Sequence, residues 1–233
     1  MRQILALMLF AVASLGSVAS AQDAGRTVLV ELYTSQGCNS CPPADRLLGK
    51  LAQREDVIPL ALHVDYWDYI GWKDSFASPQ FTKRQRAYAR AWRQRTIYTP
   101  QMVIGGLHPV VGSRPMDVAT LIQKHAMAPE VATVSIARAG DEVTIDIAPV
   151  GNAPASVVQL VRYIPEQTVD ITRGENGGRR LTYHNIVTDW AVIGEWDGQA
   201  ATTLTADAPG DAPVVVIVQE AGYGAVLAAA RIR

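Results

Sequence analysis

Val28-Leu29-Val30-Glu31-Leu32-Tyr33-Thr34-Ser35-Gln36-Gly37-Cys38-Asn39-Ser40-Cys41-Pro42-Pro43-Ala44 is the stretch on which the reading of this chain turns. Residues 27–35 form a β-branched, largely apolar run of strand length, the pattern of a strand covered on both faces. Gln36-Gly37 turns the chain. Beyond the cysteines, Ala44, Leu47, Leu48, Leu51 and Ala52 recur at helical spacing, with charges at Asp45, Arg46 and Lys50. Cys38 and Cys41, the two cysteines of the 233 residues, therefore sit in a strand-to-helix turn. A bridge across so short a loop removes little entropy from the unfolded chain, so the spacing points to redox exchange or metal binding rather than to a staple. In disulfide exchange the thiolate is the nucleophile, and a helix N-terminus favours it. Cys38 is expected to be the exposed, attacking sulfur and Cys41 the more buried, resolving one. Pro42 and Pro43 complicate that assignment. They lack N–H groups and disfavour helical angles at Cys41. The helix is expected to start at one of them, as proline allows in a first turn. That leaves Cys41 nearest the helix dipole, although Cys38 is kept as the preferred nucleophile.

Outward from this stretch, the N-terminus carries Arg2, an apolar run from Ile4 to about Leu15, and Ala19-Ser20-Ala21. This is the pattern of a secretory signal peptide over residues 1–21, with a mature chain from near Gln22. An uncleaved anchor is the rival reading. After cleavage no integral membrane segment is expected, since no later apolar stretch reaches spanning length. The expected location is periplasmic or secreted, where disulfides persist. The formal net charge of −1 argues against a general nucleic-acid binder. The balance hides an asymmetry: residues 22–129 hold 13 Lys/Arg against 9 Asp/Glu, and residues 130–233 hold 7 against 13. Two readings follow, docking of a basic half on an acidic half or scatter of surface charge.

A second buried strand is expected at 57–67, helices at 79–95 and 115–126, and strand segments at 101–104 and 110–111. Residues 22–129 thus run β, α, β, α, β, β, α, an α/β unit. From Glu130 the texture becomes strands alone, at 131–138, 143–150, 156–164, 168–172, 181–187, 200–205, 214–219 and 225–232, separated by turns such as 174–178. This spacing suggests a small all-β, sandwich-like domain over 130–233.

Strand 28–33, the C-x-x-C at a helix start, and Tyr98-Thr99-Pro100-Gln101 together resemble the thioredoxin superfamily over roughly residues 27–127. Thr99 through Gly106 is especially similar to the glutaredoxin branch. The resemblance implies a thioredoxin-like α/β domain, a cis-proline at Pro100 after Thr99 packed against the cysteines, and a buried acid on the first strand that exchanges protons with the second cysteine. Glu31 is the candidate for that acid. It stands seven residues before Cys38, one further than usual, with Gly37 as the extra residue; the competing reading is a strand residue facing solvent or a basic partner. The whole arrangement also resembles a secreted bacterial family known as domain of unknown function 1223, through Glu31–Cys38, Cys41-Pro42-Pro43-Ala44-Asp45 and His63-Val64-Asp65-Tyr66-Trp67-Asp68. That likeness implies a thioredoxin-like domain with a β-rich tail and supplies no substrate.

The catalytic candidates are therefore Cys38, Cys41, Thr99, Pro100 and Glu31, acting on a protein or small-molecule thiol or disulfide. His63, Asp65 and Trp67 alternate and are expected on one strand face. Cys38, Cys41 and His63 offer an alternative soft-metal set for Cu(I) or zinc. A third alternative is a binding module with an inert disulfide. Tyr66, Trp67, Tyr69, Trp72 and Phe76 offer a substrate wall or a packing surface. Lys83, Arg84, Arg86, Arg90, Arg93 and Arg95 run without an acid and suit either an acidic partner or a solvated helix face. No glycine-rich phosphate loop or serine triad is present, and no cofactor is expected.

Overall fold

The computed structural model describes residues 26–233. The expected signal peptide lies outside the described residues. Eleven strands and three α-helices run in the order β1 (Val28–Thr34), α1 (Pro42–Leu51), β2 (Val57–His63), α2 (Pro79–Ala91), β3 (Gln101–Ile104), β4 (His108–Val111), α3 (Pro115–Ala126), β5 (Ala132–Ala139), β6 (Glu142–Pro149), β7 (Ser156–Ile171), β8 (Arg179–Trp196), β9 (Thr202–Asp207), β10 (Val214–Glu220) and β11 (Val226–Ile232). A short 3-10 turn, Asp68–Ile70, lies between β2 and α2.

The expectation of an α/β thioredoxin-like domain followed by a small all-β domain is overturned. The described residues are mostly β, with 44% strand against 18% helix. Its strands form one mixed eight-stranded sheet in the order β11-β10-β7-β8-β2-β1-β3-β4, and a three-stranded sheet β5-β6-β9. The reason is the length of β7 and β8, 16 and 18 residues. They make a hairpin that reaches back to β2, pairing in parallel at Ala61 and Ile186. The sheet begun by β1 and β2 is thereby continued by strands from the C-terminal half. Sequence periodicity reports that a strand exists, not which edge it joins.

Local rules explain how this junction is built. The segments expected at 156–164 and 168–172 are joined through Pro165 into one strand, β7, which ends at Ile171. The β7–β8 register, from Ile164↔Ile186 to Glu166↔His184, sets Pro165 opposite Asn185, whose φ is +48°. Asn185 gives up a ladder position that proline could not serve, and its Nδ2 donates instead to the carbonyl of Pro59 in β2, at 2.7 Å. Two prolines and one left-handed asparagine thus make the seam between the halves.

β1 is buried along its whole length. Val28, Val30 and Leu32 face α1 and α3, with Leu48, Met102, Val118 and Ile122. Leu29 and Tyr33 face the other way. They join Phe81 and Tyr88 of α2 and Val161, Tyr163, Val187, Trp190, Val215 and Ile217 of the later strands. A third apolar layer lies between the small sheet and β7, β10 and β11, around Val143, Ile145, Val158, Val216 and Trp196.

Glu31, on the α2 side, is a carboxylate in the middle of this packing. Arg84 of α2 meets it with two donors, Nε to Oε2 at 2.7 Å and Nη2 to Oε1 at 3.0 Å. Tyr88 and Tyr33 donate to the same carboxylate at 2.7 and 3.1 Å. Arg84 also donates to Gln159 and Gln219, at 3.1 and 3.0 Å, and its guanidinium lies 4.0 Å from the centre of the Trp190 ring. Burial opposes the charge on Arg84, but Glu31 with Tyr88 and Tyr33 outweighs it and holds the guanidinium above its ordinary value. Of the two readings of the charge asymmetry, attraction between a basic and an acidic half is not what acts at this contact. Arg84 meets neutral amides from the C-terminal half. Glu55, in the N-terminal half, pairs instead with Arg231 and Arg233 of β11 and the chain end.

Removing one partner of a buried pair leaves the other uncompensated, at a cost of about 3–5 kcal/mol. Arg84→Ala is expected to lower the urea unfolding midpoint accordingly. Arg84→Met combined with Glu31→Gln is expected to recover part of the loss; equal midpoints for wild type and Arg84→Ala would remove this pair from the account of stability.

Candidate functional site

Cys38 and Cys41 are joined by a disulfide at the start of α1. The helix begins at Pro42, with prolines in its first two positions and Cys41 as N-cap. Cys41 nevertheless has helical angles, φ −78° and ψ −33°. The tight turn in which Cys41 N donates to Cys38 O, at 3.2 Å, sets them against the usual preference before proline. The two prolines remove two of the N–H groups that a helix N-terminus normally leaves free. The next two, on Ala44 and Asp45, are both bonded to the carbonyl of Cys41, at 2.8 and 3.1 Å. The hydroxyl of Ser40 lies 3.4 Å from Cys38 Sγ.

Both cysteines are buried, Cys38 at 1% and Cys41 at 0% exposure, so the expected contrast between an open and a hidden sulfur is absent. Part of the cover comes from the tip of the β7–β8 hairpin. Asn176 is buried there and donates from Nδ2 to the carbonyls of Gln36, at 2.8 Å, and Cys38, at 3.0 Å. Arg179 holds the other end of that amide, at 2.9 Å. Gly174 lies against Trp72, whose indole N–H donates to Gln36 Oε1 at 2.7 Å. Residues 174–178 read as a plain turn in sequence, and nothing there marked Asn176 as a contact of the cysteine loop.

Thr99–Pro100 is a cis peptide bond, as the resemblance implied. Pro100 is buried, and its carbonyl accepts from Gly112 N at 3.0 Å. Thr99 Oγ1 accepts from the indole of Trp67 at 2.8 Å. Trp67 in turn packs on Gly37, where an added Cβ would stand 3.2 Å from Trp67 Cβ and from Ile70. The Thr–Pro segment and the cysteine loop are thus connected through Trp67.

Glu31 is placed elsewhere. Alternation along β1 sends Thr34 toward α1 and Glu31 toward α2, and both oxygens of Glu31 are engaged there by Arg84 and the two tyrosines. The carboxyl on the cysteine side is Asp45, one helical turn after Cys41. Side chains on a helix lean toward its N-terminus, so Asp45 covers the turn that Cys41 opens. It is 5% exposed. Thr34 Oγ1 donates to its Oδ1 at 2.8 Å, and its Oδ2 has no hydrogen-bond partner. Burial pushes its pKa up to about 7, partly offset by His63 and by the Thr34 hydrogen bond. In sequence Asp45 was grouped with Arg46 and Lys50 as a helix charge; its i+4 spacing from Cys41 was the missed signal.

His63, Asp65 and Trp67 diverge rather than share a face, because β2 ends at His63. His63 Nδ1 lies 2.7 Å from Asp74 Oδ2, with both side chains buried. Burial opposes ionisation of Asp74, but His63 and the N–H groups of Gln36 and Phe76 outweigh it and hold the carboxyl below its ordinary value. Asp65 instead bonds Thr82. Among the described residues no three His, Cys, Asp or Glu side chains are arranged to hold a metal ion, with Cys38 and Cys41 joined to each other. Nor is any helix among them long and apolar enough to cross a membrane.

Asp45 gives a pH signature. Its folded pKa lies above the ordinary carboxylate value of about 4, so the folded state binds the extra proton and stability falls as pH rises from about 4 to 7. Asp45→Asn is expected to flatten that fall, gaining on wild type by an order of a few kcal/mol across the window and by no more above it. Parallel stability curves for the two proteins from pH 4 to 8 would contradict this. Asn176→Ala is expected to speed reduction of the disulfide by dithiothreitol about tenfold, the effect of losing roughly 1.4 kcal/mol of cover. An unchanged rate would mean that Asn176 does not shield the pair.

Comparison with known proteins adds the following. A crystal structure of a protein from Agrobacterium tumefaciens is 35% identical, with 88% of this chain and 93% of that one covered and a TM-score of 0.76. HBP35 of Porphyromonas gingivalis shares the fold at 15% identity, covering 89% of this chain and 75% of that one, with a TM-score of 0.65. No curated protein matches. The model of a family described as protein of unknown function (DUF1223) matches residues 29–219. On that span, which holds the disulfide, Asp45, the Thr99–Pro100 segment and the hairpin tip, the chain belongs to the DUF1223 family.

Proposed function

We propose that this protein exchanges thiols and disulfides through Cys38 and Cys41, with the pair weighted toward its disulfide form. The observation that carries the proposal is a C-x-x-C disulfide capping a helix that holds a buried, underbonded carboxyl one turn on. The resemblance of the strand, the cysteine turn and the Thr99–Pro100 segment to the thioredoxin superfamily supports it.

In the reduced protein the Cys38 thiolate attacks one sulfur of a substrate disulfide. The substrate S–S bond breaks, a mixed disulfide to Cys38 forms, and the other substrate sulfur leaves as a thiolate. Cys41 then passes its proton to the Asp45 carboxylate and attacks Cys38 Sγ, releasing the second substrate sulfur as a thiolate. The substrate gains two electrons, the protein closes its disulfide, and Asp45 returns the proton to solvent. A thiolate at this site has little help, because Pro42 and Pro43 supply no N–H and the next two N–H groups are committed to Cys41 O. Burial of both sulfurs also disfavours charge. Strong oxidants of this class stabilise their reduced form, and this loop lacks the means. The protein therefore acts as an electron donor. In the oxidising compartment implied by an export signal, another dithiol donor must restore it.

A reduction potential near that of thioredoxin, about −270 mV, is expected for the isolated pair, and a value near −120 mV would overturn the assignment of direction. Cys41→Ser is expected to accumulate mixed disulfides with substrate, which the double variant lacking both cysteines does not form. The burial of both cysteines favours a second reading, a binding protein with an inert bridge. A potential below about −300 mV together with no trapped adduct would select it.

A further inference from the structure

We propose that the partner of the cysteine pair is a polypeptide with acidic residues beside its own cysteine, docked on the exposed face of α2 and the aromatic shelf next to it. The proposal rests on the exchange reading for the identity of the partner and on surface geometry for the docking itself. Between Asp74 and Asp117 the chain contains no Asp or Glu. Arg84 from this stretch is buried against Glu31, which leaves Lys83, Arg86, Arg90, Arg93 and Arg95 exposed. Lys83, Arg86 and Arg90 are spaced three and four apart, so they share one face of α2. Phe81, Thr82, Arg84, Gln85 and Tyr88 are buried on the other sides. None of the five exposed cations takes part in an ion pair among the described residues.

This cationic face adjoins an aromatic shelf, which in turn packs on the cysteine loop. Gln85 bonds both the hydroxyl of Tyr66, at 3.2 Å, and the carbonyl of Tyr98, at 2.8 Å. Tyr66 adjoins Trp67, which packs on Gly37 and bonds Thr99. Tyr69 projects from this shelf with 81% of its surface exposed. The nearest acids are half-buried and already bonded, Asp65 to Thr82 and Asp68 to the N–H of Asp74. An extended partner that lays its cysteine over Cys38 therefore meets aromatic rings first and a row of positive charge beyond them. A lipid surface fits less well. The polar ends of Tyr66, Trp67 and Trp72 are all bonded inside the protein, so these rings are not free to enter a bilayer.

Fluorescence anisotropy with a labelled Glu- and Tyr-containing peptide tests the docking on the oxidised protein, without requiring exchange. Wild type is expected to bind this peptide and not its Lys-containing counterpart. The combined Lys83→Glu, Arg86→Glu, Arg90→Glu variant is expected to bind about tenfold or more weakly, and wild-type affinity to fall between about 0.05 and 0.5 M salt. The matching glutamine variant, which adds no repulsion, is expected to fall between the two. Equal binding of acidic and basic peptides, or full affinity in the charge-reversed protein, would overturn the proposal. So would binding to phosphatidylglycerol vesicles with none to the peptide. The rate at which dithiothreitol reduces the Cys38–Cys41 disulfide is expected to be the same in wild type and variant. If wild type fails to exchange with dithiothreitol yet keeps its peptide selectivity, the exchange reading fails and the docking surface stands.

Discussion

One cation holds the two parts of this molecule to a common centre. Arg84 sits where α2, β1 and the strands of the C-terminal half converge, and it touches each of them with a different group. Its carboxylate partner comes from β1, its amide acceptors from β7 and β10, and an indole from β8 covers its face. A charge taken so far from water survives only if its donors are met and its counter-ion is near. Meeting those demands draws α2, β1, β7, β8 and β10 to one centre. The hairpin tip is in turn what reaches the cysteine loop. Asn176 at that tip donates to the carbonyls of Gln36 and Cys38.

β1 separates two kinds of chemistry by alternation alone. On its α2 face, Glu31 is locked into a charge-paired, tyrosine-bonded structure. On its α1 face, Thr34 bonds only one oxygen of Asp45 and leaves the other without a partner. The first carboxyl is spent on structure and the second is able to change its proton. Two acids of similar depth therefore differ in role because strand residues three apart point to opposite sides.

The local elements were legible in the sequence where local rules decide them. β1 shows its double-sided burial as a continuous apolar run, α2 and α3 start at prolines that suit a first turn, and Pro42 marks the start of α1. The long-range arrangement was not legible. Pro165 reads as a strand break because its missing N–H is visible in sequence, whereas the left-handed Asn185 opposite it, which makes the proline tolerable, is known only from the pairing. Parity misled in the case of Glu31: one added residue before Cys38 turns an acid to the far face, and a count of spacing does not say which residue is the insertion. Asp45 looked like a solvent-facing charge because the strand residue that covers it comes from earlier in the chain. Asn176 was invisible for a plainer reason, since its partners lie 140 and 138 residues away.

That last separation bears on how the disulfide is made. A chain emerges from its N-terminus, and its early segments begin to organise before later ones exist. The cysteine turn is complete long before the hairpin tip that hides it has been synthesised. Once the tip is in place, Asn176 ties the carbonyls of Gln36 and Cys38 to it. The order of synthesis thus leaves the cysteine turn available before the segment that bonds its carbonyls exists, so its first oxidation need not wait for the hairpin.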